Sequence, residues 1–109
     1  MRVMNGLGVG LPEKCYKNAL RFELEESGHR LEQQRRFPVL YKGQSVGTLI
    51  PDLIVDGLLI VDPKVVDQIG RPEIAQMLTY LSLTHLPLAL LVNFKPARIT
   101  WRLVHPPRR

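Results

Sequence analysis

Cysteine is nearly missing from this chain: Cys15 is the only one in 109 residues. A single thiol excludes an internal disulfide and a zinc site built from four cysteines, and it fits a reducing compartment. His29, His85 and His105 are too scattered to show metal-ligand spacing. Long apolar runs are absent too. The longest surrounds Leu86–Val92, well short of the ~18 residues of a membrane span. The N-terminal Met-Arg-Val-Met-Asn-Gly lacks the apolar core of a signal peptide. There is no internal repeat and no low-complexity segment. Acid is missing from the last third. Residues 74–109 carry five Lys/Arg and no Asp/Glu, whereas residues 1–73 carry ten of each, so the whole net charge of +5 lies at the C-terminal end. Such a basic region suits a polyanion, or simply solvates a tail ending in Arg108-Arg109.

What is present describes an ordinary globule. Hydrophobic residues make up 45% and charged residues 23%, which argues against disorder. The length supports one domain over residues 1–109. Residues 1–10 form a glycine-rich arm and residues 104–109 a basic tail. The expected location is cytoplasmic. Gly6, Gly8 and Gly10 do not make a dinucleotide fingerprint, because its third glycine would fall at Leu11 and no strand precedes it.

The spacing predicts a helix from Pro12 to about Ser27, with proline and Glu13 suiting its first turn. Two apolar seams recur at helical spacing, Cys15, Ala19, Phe22 and Tyr16, Leu20, Leu24, and Cys15 stands between apolar positions. Cys15 therefore reads as a core thiol. Phe37, Val39 and Tyr41 alternate as a strand, and Lys42–Ser45 is a turn. A second strand is expected over Val46–Val55, a turn at Asp56-Gly57, and a third strand over Leu58–Asp62. A second helix covers Pro72–Leu83, with Ile74, Met77, Leu78 and Leu81 at helical spacing. Strands follow at Leu88–Asn93 and Ile99–Leu103. The order α-β-β-β-α-β-β predicts an α/β fold with a mixed sheet flanked by helices.

Chemistry concentrates around the second turn. Asp52 and Asp62 are joined by a hairpin, Lys64 lies two residues beyond Asp62, and Glu13 opens the first helix. Mg²⁺ often uses only one or two protein carboxylates and takes its other ligands from water and phosphate. A lysine beside a metal-bound water can orient it and offset charge on phosphate. The bland reading of the same residues is a set of solvated surface ion pairs. The metal reading makes a demand on register. A two-residue turn would pair Asp52 with Val61 and put the acids on opposite faces. A three-residue loop would pair Ile54 with Ile60 and put them on one face. Pro63 is unusual within a central strand, because it lacks the donor a ladder needs.

Gly10-Leu11-Pro12-Glu13-Lys14-Cys15-Tyr16 resembles the signature of the GxxExxY proteins. The likeness continues through Val39–Gly43, Pro51–Gly57, Gln76–Thr84 and Leu90–Phe94. These proteins are grouped with the PD-(D/E)XK nuclease superfamily, so the resemblance implies a restriction-endonuclease-like αβββαβ core. It also implies that Asp52 and Asp62 hold Mg²⁺ or Mn²⁺, that Lys64 is catalytic, and that Glu13 completes the site through metal or water. Gln76 and Tyr80 resemble a Gln-x-x-x-Tyr element of such nucleases, and four apart they share a helix face. Lys95, Arg98 and Arg102, and also Arg35-Arg36, are candidates for phosphate contacts. The expected function is metal-dependent hydrolysis of nucleic-acid phosphodiesters. The alternative is an inactive nuclease-fold module that binds nucleic acid or a protein partner. The small size is also compatible with a homodimer sharing the grip on a duplex.

Overall fold

A computed structural model describes residues 6–107. The first five residues of the expected arm and Arg108-Arg109 of the expected tail lie outside the described residues. Helix α1 spans Glu13–Glu26. It is followed by β1 (Leu31–Glu32), β2 (Phe37–Tyr41), β3 (Gln44–Leu49), β4 (Leu53–Val55) and β5 (Leu59–Lys64). Helix α2 (Arg71–Thr84), β6 (Leu88–Asn93) and β7 (Thr100–Val104) complete the order. Five strands form one sheet in the order β1-β4-β5-β6-β7, and β2-β3 form a separate hairpin. The β5–β6 pair is parallel, with α2 as its crossover, and the other pairs are antiparallel. This is the mixed sheet flanked by helices that the sequence predicts, with β5 at its centre.

Three expectations change in detail. The expected strand Val46–Val55 is two strands, because Ile50-Pro51-Asp52 interrupts it. Proline cannot donate to a ladder, and the chain leaves the hairpin there to enter the main sheet. The first strand of the main sheet is Leu31–Glu32, two residues long and too short to show a period. The 37–41 strand expected in that role belongs to the hairpin. Finally, Cys15 is exposed and not a core thiol. Of the two seams on α1, the structure buries Tyr16 and Leu20 and leaves Phe22 more than half exposed.

The two helices cover opposite faces. On the α1 face, Tyr16 and Leu20 pack against Leu53, Val55, Val61, Val92 and Phe94. On the α2 face, Met77 and Leu81 pack against Ile60, Ala89, Leu91 and Val104. Helix α2 begins with Pro72 in its first turn, and Glu73 accepts a hydrogen bond from the Gly70 N–H at 2.6 Å. Such a bond satisfies one orphan donor of the helix start.

Tyr16 ties the glycine-rich turn to this core. Its ring stacks on Phe94 with centroids 4.8 Å apart. Its hydroxyl donates to the Gly8 carbonyl at 2.7 Å and accepts from the Leu11 N–H at 3.2 Å. Gly10 within that turn has φ +90°, a conformation that L side chains rarely adopt. Tyr16→Phe keeps the stack and removes two hydrogen bonds, so it should cost about 1–2 kcal/mol. Tyr16→Ala should cost about 3–5 kcal/mol through the cavity it leaves. Thermal unfolding checks both: equal melting temperatures for Tyr16→Phe and wild type would deny the hydroxyl this role.

Asn93, the residue before Phe94, does comparable work at the carboxyl end of β6. It is fully buried. Its Oδ1 accepts from the Val66 and Lys95 N–H groups, and its Nδ2 donates to the Val66 carbonyl at 2.7 Å. The segment leaving β5 is thereby clamped to the end of β6, just beyond Lys64.

Candidate active site

The β4–β5 connection is the three-residue loop. Ile54 pairs with Ile60, Leu53 with Val61 and Val55 with Leu59. Extending this register brings Asp52 opposite Asp62, which is the arrangement the two-acid reading requires. Asp56 and Gly57 make the turn with φ of 54° and 68°. Asp56 has a structural task there: it accepts from the Arg30 N–H at 2.9 Å and contacts His29 Nδ1 at 2.7 Å. The Arg30 hydrogen bond, more than His29, holds its carboxyl below the usual range.

Pro63 fits this central strand for a local reason. The Lys64 carbonyl accepts from the Phe94 N–H at 2.8 Å, on the β6 side. Peptide groups alternate sides along a strand, so the Pro63 nitrogen faces the β4 side. Pairing with β4 has already ended at Leu53 and Val61. The ladder therefore keeps all its bonds.

Asp62 and Lys64 share a face of β5, at the carboxyl end where open α/β sheets place their ligands. Asp62 is only 4% exposed. Its Oδ2 lies 3.2 Å from Lys64 Nζ. Its Oδ1 is buried and accepts no hydrogen bond among the described residues, and the Asp52 carboxyl is near enough to share a proton with Asp62. Burial first, and then the neighbouring Asp52 carboxyl, push Asp62 up to about 7 against the pull of Lys64. Lys64 Nζ also donates to Gln76 Oε1 at 3.0 Å, and Gln76 Nε2 contacts the Tyr80 hydroxyl at 3.5 Å. Strand β5 and helix α2 thus supply one continuous polar chain: Asp62, Lys64, Gln76, Tyr80.

Helix α1 brings the remaining groups. Glu13 opens that helix and is exposed; its carboxyl is raised chiefly by partial desolvation, with Lys64, Asp52 and Lys17 all acting on it. Lys17 Nζ lies 3.1 Å from Asp52 Oδ1. Lys17 is the residue that sequence reasoning missed. The available signal was its position four after Glu13, which puts both on one helix face. Glu13, Lys17, Gln33 and Asp52 line a cleft of about 270 Å³.

Among the described residues, no three His, Cys, Asp or Glu side chains stand together as a ready metal donor set. The Asp52–Asp62 pair nevertheless suits a hard cation that needs only one or two carboxylates. The buried, unpartnered Asp62 Oδ1 is the observation that favours this fit, since such an oxygen is costly unless something binds it.

The basic candidates lie to one side. Lys95 is ion-paired with Asp67. Arg102 sits opposite Leu91 on the edge strand β7, on the Asp62 face of the sheet. Arg98 is exposed in the loop before β7.

Comparison with known proteins bears on the family and the fold. A family described as the PD-(D/E)XK nuclease superfamily matches residues 1–104. No curated protein matches the chain. Among solved structures, the crystal structure of SSO0001 is similar at a TM-score of 0.70 and 16% identity, covering 88% of this chain and 50% of that one. An alkaline exonuclease (LHK-Exo) from Laribacter hongkongensis is similar at a TM-score of 0.62 and 15% identity, covering 86% of this chain and 56% of its own. At these identities the likeness is one of fold, and the chain spans about half the length of these structures. No helix among the described residues is long and apolar enough to cross a membrane.

Proposed function

The chain belongs to the PD-(D/E)XK nuclease superfamily, and on that premise we propose that it hydrolyses phosphodiester bonds of nucleic acid with Mg²⁺ or Mn²⁺. Within the superfamily we assign it to the GxxExxY proteins. The support is a physical role for each signature position: Gly10 makes the left-handed turn, Tyr16 anchors it, and Glu13 borders the site.

The observation that carries the proposal is the buried Asp62 Oδ1 without a partner, beside Lys64 and opposite Asp52. Asp52 and Asp62 hold the cation. When bound, the cation lowers the pKa of an attacking water and offsets charge on the phosphate. Lys64 presents its ammonium to the attacking oxygen and to the phosphate as negative charge develops there. Gln76 is a positioning residue: its 3.0 Å hydrogen bond holds the Lys64 head in place. Glu13, exposed at the mouth of the cleft with a carboxyl raised by partial desolvation, orients water there. The experiment is metal-dependent cleavage of a nucleic-acid panel, with Lys64→Ala as the inactive comparison.

Lys95, Arg98 and Arg102 supply phosphate contacts in this reading. Replacing all three with glutamine should weaken binding alike for every sequence. It should also flatten the salt dependence, by about 0.9 in log–log slope on a duplex, or about 0.7 on a single strand, for each phosphate no longer neutralised. Anisotropy titrations at several salt concentrations measure this. An unchanged slope assigns these charges to solvation alone.

A further inference from the structure

We propose that the β2–β3 hairpin is an arm that holds an unpaired nucleic-acid strand, with Tyr41 stacking on a base and Arg36 and Lys42 on phosphates. This rests on the nuclease reading for its substrate class.

The hairpin is separate from the main sheet and lies against α2 through β2. Its roots border the candidate site. Gln33 and Gln34, just before it, line the cleft with Glu13, Lys17 and Asp52, and the chain leaves β3 directly into Pro51-Asp52. A strand of five or six residues reaches roughly 17–20 Å, so the tip stands a few nucleotides from Asp52.

The register decides what the arm presents. Phe37, Val39 and Tyr41 share a face of β2. Phe37 and Val39 are half-buried, but Tyr41 at the tip is 62% exposed. Lys42-Gly43 makes a tight turn with φ of 51° and 78°, between the paired Tyr41 and Gln44. A register shift after Val39 leaves Val46 as an extra residue of β3, 63% exposed. Leu40 is 61% exposed. Leu40 and Tyr41 point to opposite faces of β2, so Tyr41 is the exposed ring at the tip on the Phe37 and Val39 face.

Charge identifies the occupant. Residues 33–51 contain Arg35, Arg36 and Lys42 and no acid at all. Lys42 Nζ lies 5.5 Å from the Tyr41 ring centroid, and the Arg35 guanidinium lies 4.9 Å from that of Phe37. Arg35 is also paired with Glu32 at 3.3 Å, which leaves Arg36 and Lys42 as the cations for an incoming anion. An exposed tyrosine flanked by cations on an acid-free arm matches a strand with splayed bases, which offers a π-face and a phosphate at every step.

The test is binding of fluorescein-labelled dT20 and of a 20-base-pair duplex in EDTA, where no cleavage intervenes. Tyr41→Ser should weaken dT20 binding about tenfold or more and affect the duplex less. Arg36→Gln with Lys42→Gln should lower the dT20 salt slope by about 1.4. Trp101→Ser, an equally exposed aromatic at the far edge of the sheet, should change neither. All these side chains are exposed, and melting temperatures within a few degrees of wild type verify folding. Unchanged dT20 binding by folded Tyr41→Ser overturns the arm. So does a dimer in solution that Tyr41→Ser dissociates while dT20 binding is unchanged, because the tip is then a self-interface. Loss of binding on hairpin substitution in a wild-type protein that cleaves nothing keeps the arm and overturns the nuclease reading.

Discussion

Asp62→Asn should abolish metal-dependent cleavage while leaving the metal-free protein more stable than wild type at pH 8. The second half of that expectation comes from linkage. Asp62 titrates near 7 in the folded chain, raised mainly by burial, and near 3.9 in an unfolded one. Between pH 4 and 7 the folded state therefore keeps a proton that the unfolded state has released. Stability falls as pH rises through that window and levels off above it. Asparagine has the same shape and no charge to desolvate, so it removes the penalty. The Lys64 ion pair goes as well, which offsets part of the gain. A net difference on the order of 2 kcal/mol at pH 8 corresponds to roughly 8–16 °C in melting temperature for a domain of this size. At pH 4 the wild-type carboxyl is already protonated in the folded state, and the two proteins should converge. With Mn²⁺, wild type should gain stability because metal binds only the folded chain, and Asp62→Asn should gain little. Thermal melts at both pH values, with EDTA and with Mn²⁺, measure all of this. If Asp62→Asn is less stable at pH 8 and keeps its metal response, Asp62 is a structural partner of Lys64 and not a metal ligand.

Lys64→Ala should separate chemistry from metal binding. Its ammonium sits 3.2 Å from Asp62 Oδ2 and 3.0 Å from Gln76 Oε1, at the centre of the polar chain. Removing a preorganised donor of this kind typically costs about 10²–10³ in rate. It also removes a cation that competes for Asp62, so metal affinity should hold or rise. Single-turnover cleavage beside a Mn²⁺ melt measures the two effects on one protein. Cleavage within about threefold of wild type would deny Lys64 a role in the reaction. Gln76→Ala should fall between wild type and Lys64→Ala, since it loosens the lysine without removing it.

The parts of this structure with strong local periods were legible from the sequence. Both helices and the strand Leu88–Asn93 lie within a residue or so of their expected bounds. Asp52, Asp62 and Lys64 could be singled out from a turn and a two-residue spacing, while the loop length that puts both acids on one face is settled only by the observed register. Other features are set by tertiary contacts. Leu31–Glu32 is a strand only because β4 is there to pair with it. The choice of the Tyr16 seam over the Cys15 seam depends on Phe94, far along the chain, offering a ring to stack on. Lys17 looks like any solvated helix lysine until the hairpin delivers Asp52 to within 3.1 Å of it. The tolerance of Pro63 follows from where β4 ends, which no local pattern announces.

The most direct test of the central claim is cleavage of a mixed panel of single- and double-stranded DNA and RNA by the purified chain, with Mg²⁺, with Mn²⁺ and with EDTA. Product should appear on at least one substrate with either metal, stop with EDTA, and be lost in Lys64→Ala run beside it. Cleavage that persists in EDTA or survives Lys64→Ala would contradict a metal site built on Asp52, Asp62 and Lys64. So would a folded, metal-loaded protein that cleaves nothing.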